Sequence, residues 1–189
     1  MATRLEILDA AWAIAREKGL SDLTLREVGS RIGMRGPSLY SYFDSKNAIY
    51  DAMFGQAWSQ CLASFDQLGP RPRSPRTALR TVARAFFDFA AADLARHQLM
   101  NQRTIPGFVP SAEAYAPAVE VLNRARAHLA ACGVHRADHF DLYIALVGGL
   151  IDAQQANDPG GDRWSQLLDQ AMDMFADHAG LPRSRRSST

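Results

Sequence analysis

Residues 24–46, TLREVGSRIGMRGPSLYSYFDSK, constrain the fold most, because they predict two short helices joined by a tight turn. Thr24 and Glu27 have the T-x-x-E spacing of a capping box, in which each side chain satisfies a backbone N–H of the first helical turn. Gly33 is expected to end this helix, since glycine accepts the left-handed conformation of a helix C-terminus. Pro37 suits the first turn of the next helix, where its missing N–H costs nothing. These parts together predict a helix-turn-helix.

The second helix of this motif favours contact with DNA. Leu39 and Phe43 are four residues apart and can anchor one helical face in the core. The outer, N-terminal part is small, hydroxylated or cationic, as in a recognition helix that meets base edges and phosphates. Lys46 follows an expected N-cap at Ser45, where a cation opposes the helix dipole, so a bound phosphate explains it better than local stability does. The predicted DNA-binding residues are Thr24, Arg26, Arg35, Gly36, Pro37, Ser38, Tyr40, Ser41, Tyr42 and Lys46. The alternative is a small helical domain with solvated tyrosine and lysine side chains.

With its flanking sequence, this region resembles the TetR family of bacterial transcriptional repressors. The resemblance covers ILDAAWAIAREKG (residues 7–19), LTLREVGSRIG (23–33) and GPSLYSYFDSKNAIYDAM (36–53). Two positions depart from the family pattern: Gly29 replaces the usual alanine, which should weaken its helix slightly, and Tyr42 replaces a common histidine. The resemblance implies a homodimer on a double-stranded DNA operator and a ligand pocket among the central helices.

Composition favours an all-helical chain with a substantial core. The 189 residues are 47% hydrophobic, alanine, leucine and arginine are abundant, and runs of β-branched residues are scarce. The net charge is only +1, and residues 1–50 carry seven basic against six acidic side chains. Charge alone therefore does not indicate DNA binding, and specificity must come from placed contacts in a dimer.

The sequence predicts a cytoplasmic protein that is not an enzyme and needs no cofactor. It begins without the apolar segment of a signal peptide, and no stretch approaches the ~20 apolar residues of a membrane helix. No nucleophile elbow, P-loop or G-x-G-x-x-G pattern occurs. Cys61 and Cys132 match no metal or disulfide spacing and are expected to be buried thiols in a reducing compartment, with a redox-sensor role as the alternative. His135 and His139 have the spacing of two metal ligands on a helix, but no third ligand is evident, so no metal site is predicted.

Three regions are expected along the chain: a three-helix DNA-binding domain over residues 1–46, a helical ligand-binding and dimerisation domain over 47–179, and a disordered tail over 180–189. The first helix should cover residues 4–18 and a long fourth helix should begin near Ser45. The segment GPRPRSPR (residues 69–76) is the clearest break in the chain and reads as a solvated connector, or alternatively as a basic arm on phosphate.

The last two helices have the cleanest apolar periodicity, over residues 140–154 and 164–175. The first of them is also apolar off its main stripe and carries Gly148 and Gly149 in mid-helix, which costs stability unless something packs closely there. In a TetR-like protein these helices pair with their copies in a four-helix interface; the alternative is an entirely intramolecular core. The predicted interface residues are Tyr143, Val147, Gly148, Leu150, Ile151, Leu168, Met172 and Phe175.

The ligand pocket that the resemblance implies can draw on apolar and polar side chains of the central helices. The predicted pocket residues are Phe86, Phe89, His97, Met100, Asn101, Arg103, Phe108 and Tyr115. Aromatic residues at helical spacing are more often core than ligand contacts, so each member is less secure than the pocket. The resulting hypothesis is a homodimeric repressor released from a palindromic operator by a small, largely apolar effector. The alternatives are a DNA-binding regulator without an effector and an enzyme or carrier that uses the helical pocket.

Overall fold

The computed structural model describes residues 3–34 and 36–183, without the side chains of residues 36 and 37, and its regular structure over that part of the chain is entirely helical. The α-helices are α1 (Arg4–Lys18), α2 (Leu25–Arg31), α3 (Gly36–Tyr40), α4 (Lys46–Asp66), α5 (Pro75–Ala91), α6 (Leu94–Asn101), α7 (Ala112–Ala131), α8 (Ala137–Asn157) and α9 (Leu168–His178). Single turns of 3-10 helix cover Leu20–Asp22 and Ser165–Leu167. The predicted all-α class is confirmed.

Capping side chains fix where the first two helices begin. At α1, Thr3 accepts a hydrogen bond from the Glu6 N–H, and the Glu6 carboxylate accepts one from the Thr3 N–H at 2.6 Å. At α2 the predicted capping box forms only in part: Thr24 accepts from the Glu27 N–H at 3.2 Å. The Glu27 carboxylate binds the Lys18 ammonium instead, because an oppositely charged group lies within reach. The complete capping box is therefore the one at α1.

The chain divides into two compact units, each discontinuous in sequence. Unit 1 comprises Met1–Gln60 and Asp93–Val119, and unit 2 comprises Cys61–Ala92 and Glu120–Thr189. Unit 1 therefore holds the helix-turn-helix together with most of α4, all of α6 and the first part of α7. The functional boundary expected after residue 46 stays a prediction, since the units are defined by packing alone.

Unit 1 packs α1 to α4 around an apolar core and ties α6 to it. Its buried side chains include Ile7, Ile14, Leu23, Leu39, Phe43, Ile49 and Met53. The Trp12 indole N–H donates to Gln56 Oε1 at 2.7 Å, which joins α1 to α4. Arg16 of α1 lies 2.8 Å from Asp93, and Asp93 also accepts from the Arg96 N–H as the N-cap of α6. The helix-turn-helix and α6 are therefore held within one framework.

Unit 2 closes its core around α8 and α9, and this corrects the predicted subunit interface. Six of the eight predicted residues are buried within the chain's own core: Tyr143, Val147, Ile151, Leu168, Met172 and Phe175. Gly148 and Leu150 are half-buried. A side chain covered by its own chain is not free to contact a second copy. An apolar stripe predicts burial, but it does not reveal which chain supplies the cover.

A charge ladder joins α5 to α9 in unit 2. Three arginines of α5 at four-residue intervals face three aspartates of α9 at the same interval, and the two helices run in opposite directions: Arg76, Arg80 and Arg84 oppose Asp177, Asp173 and Asp169 in that order. Residues four apart share one helical face, so the pairing register follows from the spacing. The ladder fixes how α9 lies on α5.

The chain after α9 folds back onto unit 2. Arg76 is 8% exposed and donates to the carbonyl oxygens of Leu181 at 2.7 Å and Pro182 at 3.0 Å. Arg183 lies 2.6 Å from Asp177. Hydrogen bonds from Arg183 and Arg76 lower the pKa of Asp177 to about 2. The expected disordered tail is therefore wrong for residues 181–183, and residues 184–189 lie outside the described part of the chain.

Candidate nucleic-acid interface and ligand cleft

The turn between α2 and α3 depends on two glycines. Gly33 has a φ of 66°, the left-handed conformation predicted for it. The Met34 N–H donates to the Gly29 carbonyl at 2.8 Å, which closes the turn. A Cβ at Gly29 would lie 3.0 Å from the Met34 carbonyl oxygen, so the backbone of the turn would have to shift by a few tenths of an ångström to accept it. Gly29 therefore weakens α2 but also lets the backbone of the turn approach closely.

α3 is anchored on one face and exposed on the other. Leu39 and Phe43 are buried as predicted, and the Phe43 N–H donates to the Leu39 carbonyl at 3.1 Å. Ser38 is exposed, and Tyr40 exposes 57% of its surface. α3 therefore presents Ser38 and Tyr40 to solvent on the face opposite its anchor.

The structure corrects the length of the second helix, which ends at Tyr40. Ser41 and Tyr42 form a turn beyond it. The Ser41 hydroxyl donates to the Ser38 carbonyl at 2.7 Å and closes the end of α3. Tyr42 is half-buried, so Tyr40 is the tyrosine that projects from the helix.

Lys46 is the first residue of α4 and has a local role that the sequence did not reveal. Ser45 is the N-cap as predicted and accepts from the Ala48 N–H at 3.1 Å. The Lys46 ammonium donates to the Ser21 carbonyl at 2.7 Å and lies 5.4 Å from the centroid of the Tyr50 ring. These contacts give Lys46 a part in local stability, contrary to the prediction. A phosphate contact stays a prediction, since the side chain is only half-buried.

The other predicted DNA contacts lie on both sides of the turn. Thr24 and Arg26 are exposed at the start of α2. Arg35 lies outside the described residues, and no side chain is described at Gly36 and Pro37, which begin α3. Their contacts with DNA stay predictions.

Arg4 is a cation beside α3 that sequence reasoning missed. Its guanidinium donates to the Tyr42 carbonyl at 3.3 Å and lies 4.2 Å from the centroid of the Phe43 ring. Arg4 and Tyr42 are 38 positions apart, so no local pattern connects them. The signal available in the sequence was only a basic residue at the start of α1.

A cleft of about 480 Å³ lies in unit 1 between α4, the end of α6 and the segment that leads to α7. This volume is within the range of small-molecule sites. The unit 1 cleft brings together five of the eight predicted pocket residues, Met100, Asn101, Arg103, Phe108 and Tyr115. The remaining lining residues are Phe54, Leu99, Gln102, Ile105, Pro106, Gly107, Val109 and Pro110.

Three predicted pocket residues do not line this cleft. Phe86 and Phe89 belong to α5 in unit 2, where Phe86 packs against the core. His97 is 2% exposed, and its Nδ1 lies 3.2 Å from Asn101 Nδ2, which also donates to the His97 carbonyl at 3.3 Å. His97 therefore lies buried outside the cleft lining and positions Asn101, which does line it. These assignments failed because residue type marks an aromatic or polar side chain but not the direction in which it points.

An aromatic wall forms one side of the unit 1 cleft. The rings of Phe54 and Tyr115 stack with centroids 5.8 Å apart and an interplanar angle of 11°. Phe108 meets Phe54 edge-on at 6.5 Å and Tyr50 edge-on at 5.7 Å. Sequence reasoning missed Phe54, although Tyr50, Phe54 and Trp58 repeat at four-residue spacing along α4 and could have indicated it.

A pair of contacts, called here the α4–α7 clamp, joins α4 to the start of α7. The two carboxylate oxygens of Asp51 accept from the Ser111 N–H at 2.6 Å and the Ser111 hydroxyl at 2.8 Å. One turn further on, a Cβ at Gly55 would lie 3.3 Å from Ala114 Cα, so the two helices cross closely there. The lining segment of the cleft is thereby tied to the helix that follows the helix-turn-helix.

Two observations in unit 2 disfavour the redox-sensor and metal-site alternatives. Cys132 is buried, and burial raises the pKa of its thiol. His135 precedes α8 and so does not share a helical face with His139, whose ring lies 5.2 Å from the His178 ring. Across residues 3–34 and 36–183, no group of three or more metal-binding side chains occurs. Within the same ranges, no helix has both the length and the apolar character to span a membrane.

Comparison with known proteins places this geometry in context. The profile of the family described as bacterial regulatory proteins, tetR family, matches residues 7–53. The tetracycline repressor protein class A from transposon 1721 of Escherichia coli is 27% identical over 191 residues, which covers 92% of this chain and 81% of that protein. An uncharacterized HTH-type transcriptional regulator of Mycobacterium tuberculosis is 34% identical over 82 residues, or 43% of this chain and 38% of that protein.

The fold also resembles solved structures over nearly the whole chain. The transcriptional regulator FadR of Bacillus subtilis, solved in complex with stearoyl-CoA, superposes with a TM-score of 0.73 at 16% identity and covers 92% of this chain and 97% of FadR. At this identity the likeness shows the fold, with its N-terminal helix-turn-helix and the helices that follow.

Proposed function

Because this chain belongs to the TetR family of bacterial regulatory proteins, we propose that it is a homodimeric repressor that a small organic effector releases from a palindromic operator. The chain is a DNA-binding transcriptional regulator and not an enzyme. Repression, the effector and the dimer are the parts that we propose. The unit 1 arrangement, in which an anchored and exposed α3 shares a framework with a ligand-sized cleft, supports repression and the effector, and the exposed apolar positions of α8 and α9 support the dimer.

The DNA contacts in this proposal centre on the outer face of α3. Buried Leu39 and Phe43 hold the helix, so Ser38 and Tyr40 can be presented to base edges at low entropic cost. Lys46 and Arg4 flank them and supply phosphate contacts. This anchored and exposed face is the observation that carries the proposal. Two copies would read half-sites about 34–36 Å apart in a near-palindromic operator.

Exposed apolar positions on α8 and α9 supply the dimer interface in this proposal. Leu142, Ala145 and Gly149 are exposed at i, i+3 and i+7 on α8, and Leu167 and Met174 are exposed around α9. A Cβ on Gly148 or Gly149 would meet no atom of this chain within 4 Å. Small residues on an exposed helical face permit close packing of another helix, which supports a second copy here.

A charge on this face tests the dimer. We expect Gly149→Arg to give a folded monomer that loses operator binding, because an unpaired charge in an apolar seam is costly. The matched control is Gly69→Arg, which also adds a side chain where no atom lies within 4 Å. Sedimentation velocity at micromolar concentration distinguishes the two variants. A wild-type monomer that still binds the operator would contradict the dimer.

The effector acts through α4 in this proposal. Phe54 of α4 lines the unit 1 cleft, and the α4–α7 clamp ties α4 to the segment that bears Phe108. A ligand that displaces this segment would move α4 and with it α3. The ligand must then bind the DNA-incompetent form more tightly, and DNA must weaken ligand binding by the same factor, about 5–150-fold for a typical coupling.

Footprinting on the DNA upstream of the chain's own gene tests the whole proposal. The expected result is protection of a near-palindromic site by the wild-type protein, with affinity well above that for unrelated DNA. Adding candidate effectors to the complex then tests release. Binding without release by any ligand that enters the cleft would favour a regulator without an effector. No preference for any upstream site would contradict operator binding itself.

A further inference from the structure

The unit 1 cleft has a single sign of charge. Among the thirteen described residues that line it, Arg103 is the one charged side chain, and none of these thirteen is an aspartate or glutamate. A guanidinium binds a carboxylate through two parallel hydrogen bonds and stays charged at any physiological pH. The cleft therefore suits an anion better than a cation or a neutral molecule of the same shape.

Arg103 is the cationic donor of the unit 1 cleft, and two neighbouring polar groups are engaged elsewhere. Asn101 Nδ2 is already engaged by His97, at its ring and at its carbonyl. The Asp51 carboxylate, which belongs to the same unit, is committed to Ser111 through both of its oxygens. Arg103 itself is exposed, so its guanidinium can turn toward a bound molecule without breaking the framework.

The aromatic wall specifies the other end of the ligand. Phe54 and Tyr115 are stacked nearly parallel; Phe54 is buried and Tyr115 is 45% exposed, so the accessible ring surface of the pair is that of Tyr115. Phe108, half-buried, stands edge-on to Phe54 and closes the wall. Flat rings bind such walls by offset stacking or edge-to-face contact. A planar apolar body therefore fits the cleft better than a compact polar one.

We propose that the unit 1 cleft binds a small aromatic acid, whose carboxylate pairs with Arg103 and whose ring lies against Phe54 and Tyr115. This inference names the chemical class of the effector and so rests on the proposed function. The cleft volume of about 480 Å³ accommodates a ring system of two or three fused rings.

Trp58 provides a reporter inside the protein. It is 7% exposed, and its ring centroid lies 6.3 Å from that of Phe54. Its indole N–H is buried and has no hydrogen-bond acceptor among the residues that the structure describes. A molecule that shifts Phe54 changes the surroundings of this ring, so a ligand in the cleft is expected to alter tryptophan emission. Trp58→Phe should remove that change.

The test compares 2-naphthoate with 2-naphthamide, which has the same rings without the charge. Isothermal titration calorimetry should show 2-naphthoate binding at least about tenfold more tightly than the amide, since a charge-assisted pair is worth this much. Arg103→Gln should weaken the acid by about tenfold and leave the amide within about twofold, and Arg103→Lys should restore part of the difference. The matched control is Arg71→Gln, because Arg71 lines a separate cavity of about 210 Å³ in unit 2.

The outcomes separate this inference from the proposed function. Equal affinities for acid and amide, an Arg103→Gln variant that binds the acid like wild type, or no binding of either probe at millimolar concentration would each overturn the aromatic-acid site. Binding of 2-naphthoate as expected, with operator affinity unchanged by saturating acid, would keep the site and reject its role as a switch. Weaker operator binding in the presence of the acid would support both.

Discussion

Unit 1 and unit 2 are built from the same kinds of helices but use their side chains differently. Unit 2 buries Tyr143 and Phe175 in edge-on contact at 5.5 Å and adds a charge ladder between α5 and α9. Unit 1 leaves Tyr40 and Tyr115 exposed and keeps a cleft beside its aromatic wall. The difference indicates that the core of unit 2 supplies stability, whereas the α3 face and the cleft of unit 1 leave side-chain surface open to other molecules.

This contrast has a physical basis. A side chain that packs on all sides contributes its full burial, while one that lines a cleft leaves part of its surface for a ligand. Regions that bind and switch are drawn from the less stable parts of a protein because they must change shape. We therefore expect substitutions in the buried core of unit 2 to affect mainly stability, and substitutions on the α3 face or in the cleft of unit 1 to affect mainly binding.

The largest expected effect is on the free energy of unfolding, and it is measured by replacing one phenylalanine with alanine in each unit. Phe175→Ala in the unit 2 core should lower the free energy of unfolding by about 3–5 kcal/mol, because a buried ring leaves a cavity. Phe108→Ala in the half-buried cleft wall should cost about 1–2 kcal/mol, and it should damage induction more than operator affinity. Urea unfolding of both variants measures the difference. Equal losses would break the distinction between a sealed core and an open cleft.

A smaller effect is expected at Lys46 in unit 1. Lys46→Ala should weaken binding to all DNA sequences alike and lower the slope of log affinity against log salt by about one unit, if Lys46 contacts phosphate. The variant also loses the bond to the Ser21 carbonyl, so a thermal melt must accompany the titrations. Lys18→Ala is the control, since Lys18 binds Glu27. An unchanged slope in a folded Lys46→Ala protein would restrict the lysine to its structural bond.

The smallest effect concerns the pH dependence of unit 2. Arg183 and Arg76 lower the pKa of Asp177 from its ordinary value of 3.8 to about 2 in the folded chain. A carboxyl whose pKa is lower when folded adds stability above pH 4, and that stability is lost as the pH falls from about 4 to 2. Asp177→Asn should therefore have a lower free energy of unfolding at pH 7. It should also lose less of that free energy than wild type as the pH falls from about 4 to 2. The control Asp9→Asn removes one exposed carboxylate from unit 1. Urea unfolding between pH 2 and 7 measures both variants. If Asp177→Asn lost stability with falling pH as wild type does, the role of Asp177 would be contradicted.

The sequence predicted local features well where they rest on neighbours along the chain. The bounds of α1, the N-cap at Ser45, the left-handed Gly33 and the buried pair Leu39 and Phe43 all follow from local spacing. The two halves of the charge ladder were also visible in the sequence, because the arginines of α5 and the aspartates of α9 each repeat every four residues. Which arginine pairs with which aspartate could not be predicted, because the sequence does not show that α5 and α9 pack against each other.

Features that depend on the direction of a side chain were not predictable in the same way. The apolar stripes of α8 and α9 indicated burial but not the chain that buries them, so core residues were assigned to an interface. His97 was assigned to the pocket and instead holds Asn101 from behind. Arg4, Lys46 and the Asp51–Ser111 contact join residues 25 to 60 positions apart, for which a single sequence carries no signal.

The most direct test of the account makes one substitution at two exposed tyrosines of unit 1. Tyr40 lies on the outer face of α3, and Tyr115 lies in the unit 1 cleft. Fluorescence anisotropy with a labelled operator should show that Tyr40→Ala weakens specific binding by about 10–100-fold, the usual worth of a base contact. Tyr115→Ala should bind the operator like wild type. Operator binding by Tyr40→Ala that equals that of Tyr115→Ala would contradict the claim that the exposed face of α3 reads DNA.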